Sequence, residues 1–232
     1  MDNQNKIQQT TCRICGSLTR NLMDVQIRVT YSVCDECGFI YKNLEHHMDK
    51  ESEHKEYLNH NNNFESIGYV KMFESFIEDF ITPLSISGKV LEYGSGPGPV
   101  LKELLRRQGY DVYNYDPFFS PNTECLNQTY DLITSTEVVE HFVNPLEEFI
   151  KLKSLLNESG YLVLMTNFSE FNEPEFLKWW YRRDTTHISF YKIKTFEFLA
   201  FKLNLRLVSH NSKNVIIFKK QEGKILVKNK KI

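Results

Sequence analysis

Residues 90 to 98 read Val90-Leu91-Glu92-Tyr93-Gly94-Ser95-Gly96-Pro97-Gly98, an apolar run that ends in an acid and then breaks into alternating glycines. The run predicts a buried strand and the glycines a tight turn. Leu101, Leu104 and Leu105 predict the inner face of a helix that opens between positions 97 and 100. This order makes a nucleotide cradle. Without Cβ atoms the backbone can approach a ribose or an aminoacyl group, and the N–H groups at the helix start face the ligand. The dinucleotide pattern G-x-G-x-x-G would need its third glycine at position 99, which is Pro99. Here the spacing is G-x-G-x-G, with Glu92 two residues before Gly94. That acid would repel a pyrophosphate but could receive an ammonium group, so the stretch favours S-adenosylmethionine over NAD.

A second predicted strand, residues 111 to 116, ends in Asp116, about 20 residues past the turn, where an acid can take both ribose hydroxyls. With LEYGSGPG at 91 to 98, YDP at 115 to 117, YDLITSTEVVEHF at 130 to 142 and YLVLMTN at 161 to 167, the chain resembles the class I S-adenosylmethionine-dependent methyltransferases over residues 65 to 221. The resemblance implies an α/β fold with a doubly wound, Rossmann-like sheet, mostly parallel, whose last strand is antiparallel. It implies cofactor contacts from Glu92, Gly94, Gly96, Gly98, Asp116, Pro117, Phe118 and Glu137. Phe118 is read either as a stacking partner for adenine or as a core plug. The short span 117 to 129 departs from the family, because it leaves little room for the usual helix and third strand.

Cys12-x-x-Cys15-Gly16 and Cys34-x-x-Cys37-Gly38 are two knuckles with eighteen residues between them. That spacing brings four thiolates to a tetrahedral zinc, and a segment this small depends on its metal for folding. Residues 25 to 33 alternate like a half-buried strand, so a zinc ribbon is expected over 1 to 41, acting as staple, lid or docking module. The isolated Cys125 is read as inert. Residues 42 to 64 are polar and include His46, His47, His54 and His60; they read as a linker or lid from which Tyr57 reaches toward substrate. The methyltransferase domain is expected over 65 to 232.

Within that domain, apolar residues from Ile67 to Phe80 recur at helical spacing until Pro83. Glu137 and His141 follow the fourth predicted strand, at the carboxyl edge where doubly wound sheets bind ligands. Glu140-His141 before Asn144-Pro145 matches the E-H-x-x-N/D-P pattern of the resembled family, with Asn144 as cap of the next helix and Gly160 as its end. Residues 179 to 191 form an insertion rich in aromatic and charged side chains. Trp180, Tyr181, Arg182 and Arg183 are assigned to substrate, the arginines to an anion, and Asp184 with His187 to an orienter and base. His141 is the other candidate base. Thr195 is expected to cap a final helix, followed by two closing strands around residues 211 to 214.

The chain has 232 residues, 41% hydrophobic and 25% charged, with a formal net charge of −2. That balance fits a globular protein with no membrane partner and argues against duplex nucleic acid. The polar residues 1 to 11 do not read as a signal peptide, and a cytoplasmic setting is expected. Lys224, Lys228, Lys230 and Lys231 read as a solvated tail. The function expected is methyl transfer to a small-molecule acceptor such as a sugar or other natural-product metabolite. It resembles bacterial enzymes that join a zinc segment to this domain, the sugar C-methyltransferases among them, whose further large C-terminal domain has no counterpart in these residues. The alternative is an RNA or protein methyltransferase that docks through the ribbon. A non-catalytic binding protein is disfavoured by the intact Glu92, glycine turn and Asp116.

Overall fold

The computed structural model describes residues 10–59 and 63–222. In chain order its strands are β1 (Arg20–Asp24), β2 (Val29–Val33), β3 (Ile40–Lys42), β4 (Lys89–Tyr93), β5 (Asp111–Tyr115), β6 (Tyr130–Thr136), β7 (Leu156–Met165), β8 (Ser189–Phe190), β9 (Leu205–His210) and β10 (Val215–Lys220). The α-helices are α1 (Lys50–Leu58), α2 (Ile67–Phe76), α3 (Val100–Arg107), α4 (Pro145–Ser154), α5 (Glu173–Phe176) and α6 (Ile193–Lys202). The larger sheet has the order β5-β4-β6-β7-β10-β9. Its first four strands are parallel, and β10 runs antiparallel to both β7 and β9.

The period-two alternation of the strands divides this sheet between two cores. Val90, Leu132, Val163, Val215 and Ile217 pack with Phe73 and Phe76 of α2 and with Leu101 and Leu105 of α3. Their neighbours Leu91, Ile133, Leu162, Leu164, Ile216 and Phe218 pack on the other face with Phe149 of α4 and Phe196 and Leu199 of α6. That second core continues without a break into Cys12, Ile14, Cys34, Cys37, Phe39 and Tyr41. The cysteine segment is therefore built onto the sheet rather than tethered beside it.

A smaller sheet of order β1-β2-β3-β8 completes the attachment. Its fourth strand comes from the insertion: Ile40 pairs with Phe190 and Tyr41 with Ser189. The single strand expected over 25 to 33 is instead a hairpin, β1 to β2, whose turn ends on Arg28 at φ 55°. Alternation alone cannot separate one strand from the second arm of a hairpin when the turn carries no glycine. Residues 42 to 64 also depart from expectation. They carry α1, capped by Asp49, whose carboxylate accepts from the Glu51 and Ser52 N–H groups, so a capped helix stands where a linker was read.

Three boundaries differ as well. α4 ends at Ser154, and Gly160 lies within β7, where an added Cβ would come 2.9 Å from the Asn157 carbonyl. Asn144 occupies the α4 N-cap without a side-chain hydrogen bond. The α6 N-cap is Lys192, and Thr195 sits a turn inside, accepting from the Lys192 N–H and donating to the Cys37 carbonyl at 2.9 Å. The span 117 to 129 holds only a 3-10 turn, Thr123–Asn127, so the expected shortening occurs. Cys125 is buried there, its thiol directed at the Asn122 carbonyl. The lysines from 224 onward lie outside the described residues.

Arg182 ties the insertion to the small sheet. It is fully buried, its guanidinium 2.8 Å from the buried Asp24 carboxylate and donating to the Phe176 and Leu177 carbonyls. The pair is a close charge contact rather than an aligned hydrogen bond. The expected anion-binding role of Arg182 is thereby corrected, because no face of it is open to a ligand. Asp24→Ala strands the guanidinium and should cost about 3–5 kcal/mol in a denaturant titration. A loss below about 1 kcal/mol would show that the pair does not tie the insertion to β1.

Candidate active site

The glycine turn is positioned from below by β5. Gly94 and Ser95 donate their N–H groups to the Tyr115 carbonyl at 2.7 and 3.3 Å, and Gly96 donates to Asp116 Oδ2 at 2.9 Å. Gly94 has φ +85° and Gly96 φ +62°, so both need the left-handed region, whereas Gly98 does not. A Cβ on Gly94 would come within 2.3 Å of Val138 Cγ2, which brings the turn into contact with the segment after β6. The N–H groups of Gly94, Ser95 and Gly96 are thus spent inside the protein, and those at the start of α3 are the ones the sequence assigns to a ligand.

Asp116 is buried, and its second oxygen accepts from the Phe118 and Phe119 N–H groups at 2.9 and 3.0 Å. It fixes both the turn and the 116 to 120 loop that carries Pro117. Asn114 braces the same region, accepting from Lys102 and donating to Ser95 Oγ at 3.0 Å. Phe118 does not stand open for a base on both faces: His54 stacks on it at 5.2 Å with an interplanar angle of 8°, and Tyr57 lies at 5.6 Å.

Glu92 is the penultimate residue of β4, on the α2 and α3 side, and is 3% exposed. Burial pushes its carboxyl up to about 8 against the opposing pull of Lys102, and its Oε2 has no hydrogen-bond partner in the protein. A buried acid with an unsatisfied oxygen beside a glycine turn fits a cationic group of a ligand. Tyr69 of α2 faces the same place. Its phenol is raised first by burial and then by the Glu92 and Glu137 carboxylates, so it lies near both. Nothing in the sequence distinguished it from the core aromatics of its helix.

Beyond β6 the chain crosses Glu137 at φ 52° and enters a 3-10 turn, Val139–His141. Tyr181 donates to Glu137 Oε2 at 3.0 Å and makes a short bond with Glu140 Oε1. Glu140 is fully buried, its Oε2 is unpartnered, and burial followed by repulsion from Glu137 raises it well above the carboxylate range. Glu137 is solvent-accessible but crowded enough that burial raises it too. The expected placement of Tyr181 toward substrate is altered: its hydroxyl is engaged between two carboxylates, and its ring lies 4.1 Å from that of His187.

The two candidate bases meet. The His141 and His187 rings are 5.0 Å apart, and Tyr57 of α1 lies edge-on to His141 at 5.4 Å. His141 Nδ1 is 3.0 Å from the Thr186 carbonyl and His187 Nδ1 is 2.9 Å from the Tyr181 carbonyl. A carbonyl only accepts, so each Nδ1 carries a proton, which leaves Nε2 as the position where each ring gains or loses its second proton. Asp184 is not the orienter expected for His187. It lies 3.7 Å from His187 Nε2, and its other oxygen accepts from the Thr186 N–H and hydroxyl. Burial would raise the Asp184 carboxyl, but His187 and the Thr186 hydrogen bonds outweigh it and hold it below its ordinary value. Trp180 is 68% exposed, and Arg183, also exposed, donates to Gln26 at 3.3 Å, so neither is brought into the group around the two histidines.

The cysteine segment fixes the loop that carries these groups. Lys42 is buried and donates its ammonium to the Asp184 and Thr185 carbonyls at 3.4 and 3.1 Å, while its N–H donates to the Ile188 carbonyl at 2.8 Å. Burial lowers its ammonium to about 8. The four cysteine sulfurs lie within 4.8 Å of one another, with Cys12 3.6 Å from Cys37 and Cys15 3.4 Å from Cys34. Gly16 and Gly38, at φ +83° and +77°, close the knuckle turns, and the Ile14 N–H points at Cys12 Sγ at 3.4 Å. Burial pushes the Cys34 thiol up to about 11, and Cys37, hydrogen-bonded to Cys12, rises as well. Four crowded sulfurs in this arrangement, three buried and that of Cys15 half-buried, fit one tetrahedral divalent ion.

A sheet of this order, with an acid-flanked glycine turn at the carboxyl end of its first parallel strand, defines a class I methyltransferase architecture. Residues 64–210 match a family model described as a methyltransferase domain. Among solved structures, magnesium protoporphyrin IX methyltransferase from Synechocystis PCC 6803, with bound SAH, is similar with a TM-score of 0.51 and 12% identity, over 67% of this chain and 84% of that one. Human N-acetylserotonin methyltransferase in complex with SAM gives a TM-score of 0.51 at 12% identity, over 65% of this chain and 52% of that one. No match was found among curated proteins. The chain belongs to the methyltransferase-domain family and is a class I, S-adenosylmethionine-dependent enzyme. Among the described residues no helix is long and apolar enough to cross a membrane.

Proposed function

We propose that the protein transfers a methyl group from S-adenosylmethionine to a small-molecule acceptor held between the carboxyl end of the sheet and the insertion. The observation that carries this reading is the meeting of two polar groups of residues across Gly94 and Val138. Glu92, the glycine turn and Asp116 stand on one side, and Glu137, Glu140, His141, Asp184 and His187 on the other. In this reading Glu92 receives the cofactor's ammonium, Gly94 to Gly98 admit its backbone, Asp116 takes the ribose and Glu137 lines the approach. Pro117 and Phe118 border the base. The cofactor supplies an electrophilic methyl group on a sulfonium. The chain's share is alignment of the acceptor and removal of its proton by the His141 and His187 side of the cleft.

Four thiolates are assigned to zinc, with residues 1 to 41 as the wall behind the acceptor loop and 65 to 232 as the catalytic domain. A docking role for the ribbon is disfavoured because Cys12, Cys34 and Cys37 face the core shared with α6 rather than solvent. Neither the net charge nor the site suggests nucleic acid. A thiolate zinc site suits a reducing compartment, and the cytoplasm is where we place the enzyme. The test is transfer of labelled methyl to a panel of small acceptors. An active acceptor whose turnover is unchanged in both His141→Ala and His187→Ala would remove those residues from the reaction.

Glu92 provides a pH signature. With its carboxyl raised to about 8, the group is mostly protonated near neutral pH, and a cationic ligand beside it favours the carboxylate. Binding of S-adenosylmethionine near pH 7 should therefore release up to about one proton per chain, and the release should fade above about pH 8. The same shift contributes folding stability that is complete below the ordinary glutamate value and is lost as pH rises through about 8. Calorimetry in buffers of different ionisation enthalpy measures the release. Glu92→Gln should abolish it, and an unchanged release in that variant would place the ammonium elsewhere.

A further inference from the structure

The buried polar group behind the acceptor loop is richer in ligand atoms than a proton acceptor requires. Glu140, His141 and His187 each offer a donor atom, and these atoms all lie within 4.8 Å of one another. The three come from two separate pieces of chain, the 3-10 turn after β6 and the loop before β8. Each imidazole is oriented by a backbone carbonyl at its Nδ1, Thr186 for His141 and Tyr181 for His187. Metal-binding histidines are held in the same way, by a hydrogen bond that fixes the tautomer and aims the other nitrogen. The second, independent observation is Glu140 itself. It is fully buried, its Oε2 has no hydrogen-bond partner in the protein, and the neighbouring Glu137 adds a like charge. A buried acid with an unpartnered oxygen beside a second acid is a place where a bound cation would supply the missing partner.

We propose that Glu140, His141 and His187 form a binding site for a divalent transition-metal ion, separate from the four-cysteine site. Two imidazoles and one carboxylate suit a first-row ion of intermediate softness better than magnesium or calcium, which favour all-oxygen sets. Three protein ligands leave coordination positions open, as in sites where an ion meets a substrate rather than only bracing a fold. Tyr57, edge-on to His141, and Asp184, whose carboxylate is 3.7 Å from His187 Nε2, are the neighbouring groups of the two imidazoles. This inference rests on the assignment of the same loop to the acceptor and deepens it, giving the two histidines one shared ligand.

The test uses the full chain with zinc retained in the cysteine site and Co2+ as probe. Addition of Co2+ should load one further equivalent per chain without thiolate-to-cobalt charge-transfer bands, and proton NMR should show two hyperfine-shifted, exchangeable imidazole N–H signals. His187→Ala and His141→Ala should each remove one of these signals and weaken Co2+ binding by more than about tenfold. Binding of S-adenosylhomocysteine to the same variants reports that they remain folded. Glu140→Gln keeps the shape of the side chain and should also weaken Co2+ binding. No Co2+ uptake beyond the cysteine site, or uptake unchanged in both histidine variants, overturns the metal site. Turnover in those variants answers a different question: if they methylate normally yet lose Co2+, the ion stands and the acceptor assignment falls.

Discussion

Stripping the metal from the cysteine site should lower turnover by more than about 100-fold while S-adenosylhomocysteine binding weakens by less than about tenfold. The asymmetry follows from where the ribbon is attached. Among the described residues it contributes none to the glycine cradle, which is braced by β5, Asn114 and Asp116. It does contribute β3, which pairs with β8, and Lys42, which holds the Asp184 and Thr185 carbonyls directly before His187. A four-thiolate zinc site of the kind proposed would supply folding energy to so small a segment, apparent binding energies in isolated zinc peptides being about 10–16 kcal/mol. Loss of the ion therefore releases β3 and the loop it steadies. A zinc-free protein that methylates at the normal rate would make the ribbon dispensable to catalysis. Equal loss of cofactor binding and turnover would show that the sheet itself collapses.

Gly94→Ala is expected to weaken S-adenosylhomocysteine binding by at least about 100-fold. Two costs coincide there. An alanine at φ +85° occupies the left-handed region at about 1–2 kcal/mol, and its Cβ would come 2.3 Å from Val138 Cγ2. Either the turn moves away from the ligand or Val138 moves, carrying Glu137 and Glu140 with it. Val138→Ala in the same chain removes the overlapping methyl groups but not the torsional cost, so it should restore part of the affinity. A double variant no better than the single would locate the whole effect in the backbone. Wild-type affinity in Gly94→Ala would remove the turn from the binding site.

How far the sequence reaches can be judged residue by residue. The cradle was legible because strand, glycine turn and helix are local: Glu92, Gly94, Gly96 and Asp116 occupy the positions their spacing requires. The cysteine knuckles were legible for the same reason. What was not legible depends on contacts between distant segments. Arg182 reads as an anion receptor in a polar loop, yet Asp24, far away in sequence, makes it a strut. Asp184 and His187 read as a pair by proximity, but the Tyr181 carbonyl orients the imidazole. Tyr69 and Glu140 gave no sign of their neighbours, since an aromatic on an amphipathic helix and an acid in a family motif fit packing and capping equally well. The hairpin in 20 to 33 was hidden because Arg28 takes a left-handed turn position that glycine usually marks.

Methyl transfer by this chain requires an S-adenosyl ligand at the glycine turn between Glu92 and Asp116. Isothermal titration of the zinc-loaded chain with S-adenosylhomocysteine tests this most directly. The predicted result is saturable binding of one ligand per chain that is weakened in Glu92→Gln and in Asp116→Ala. Absence of binding by the folded wild-type chain, or undiminished binding by both variants, would contradict it.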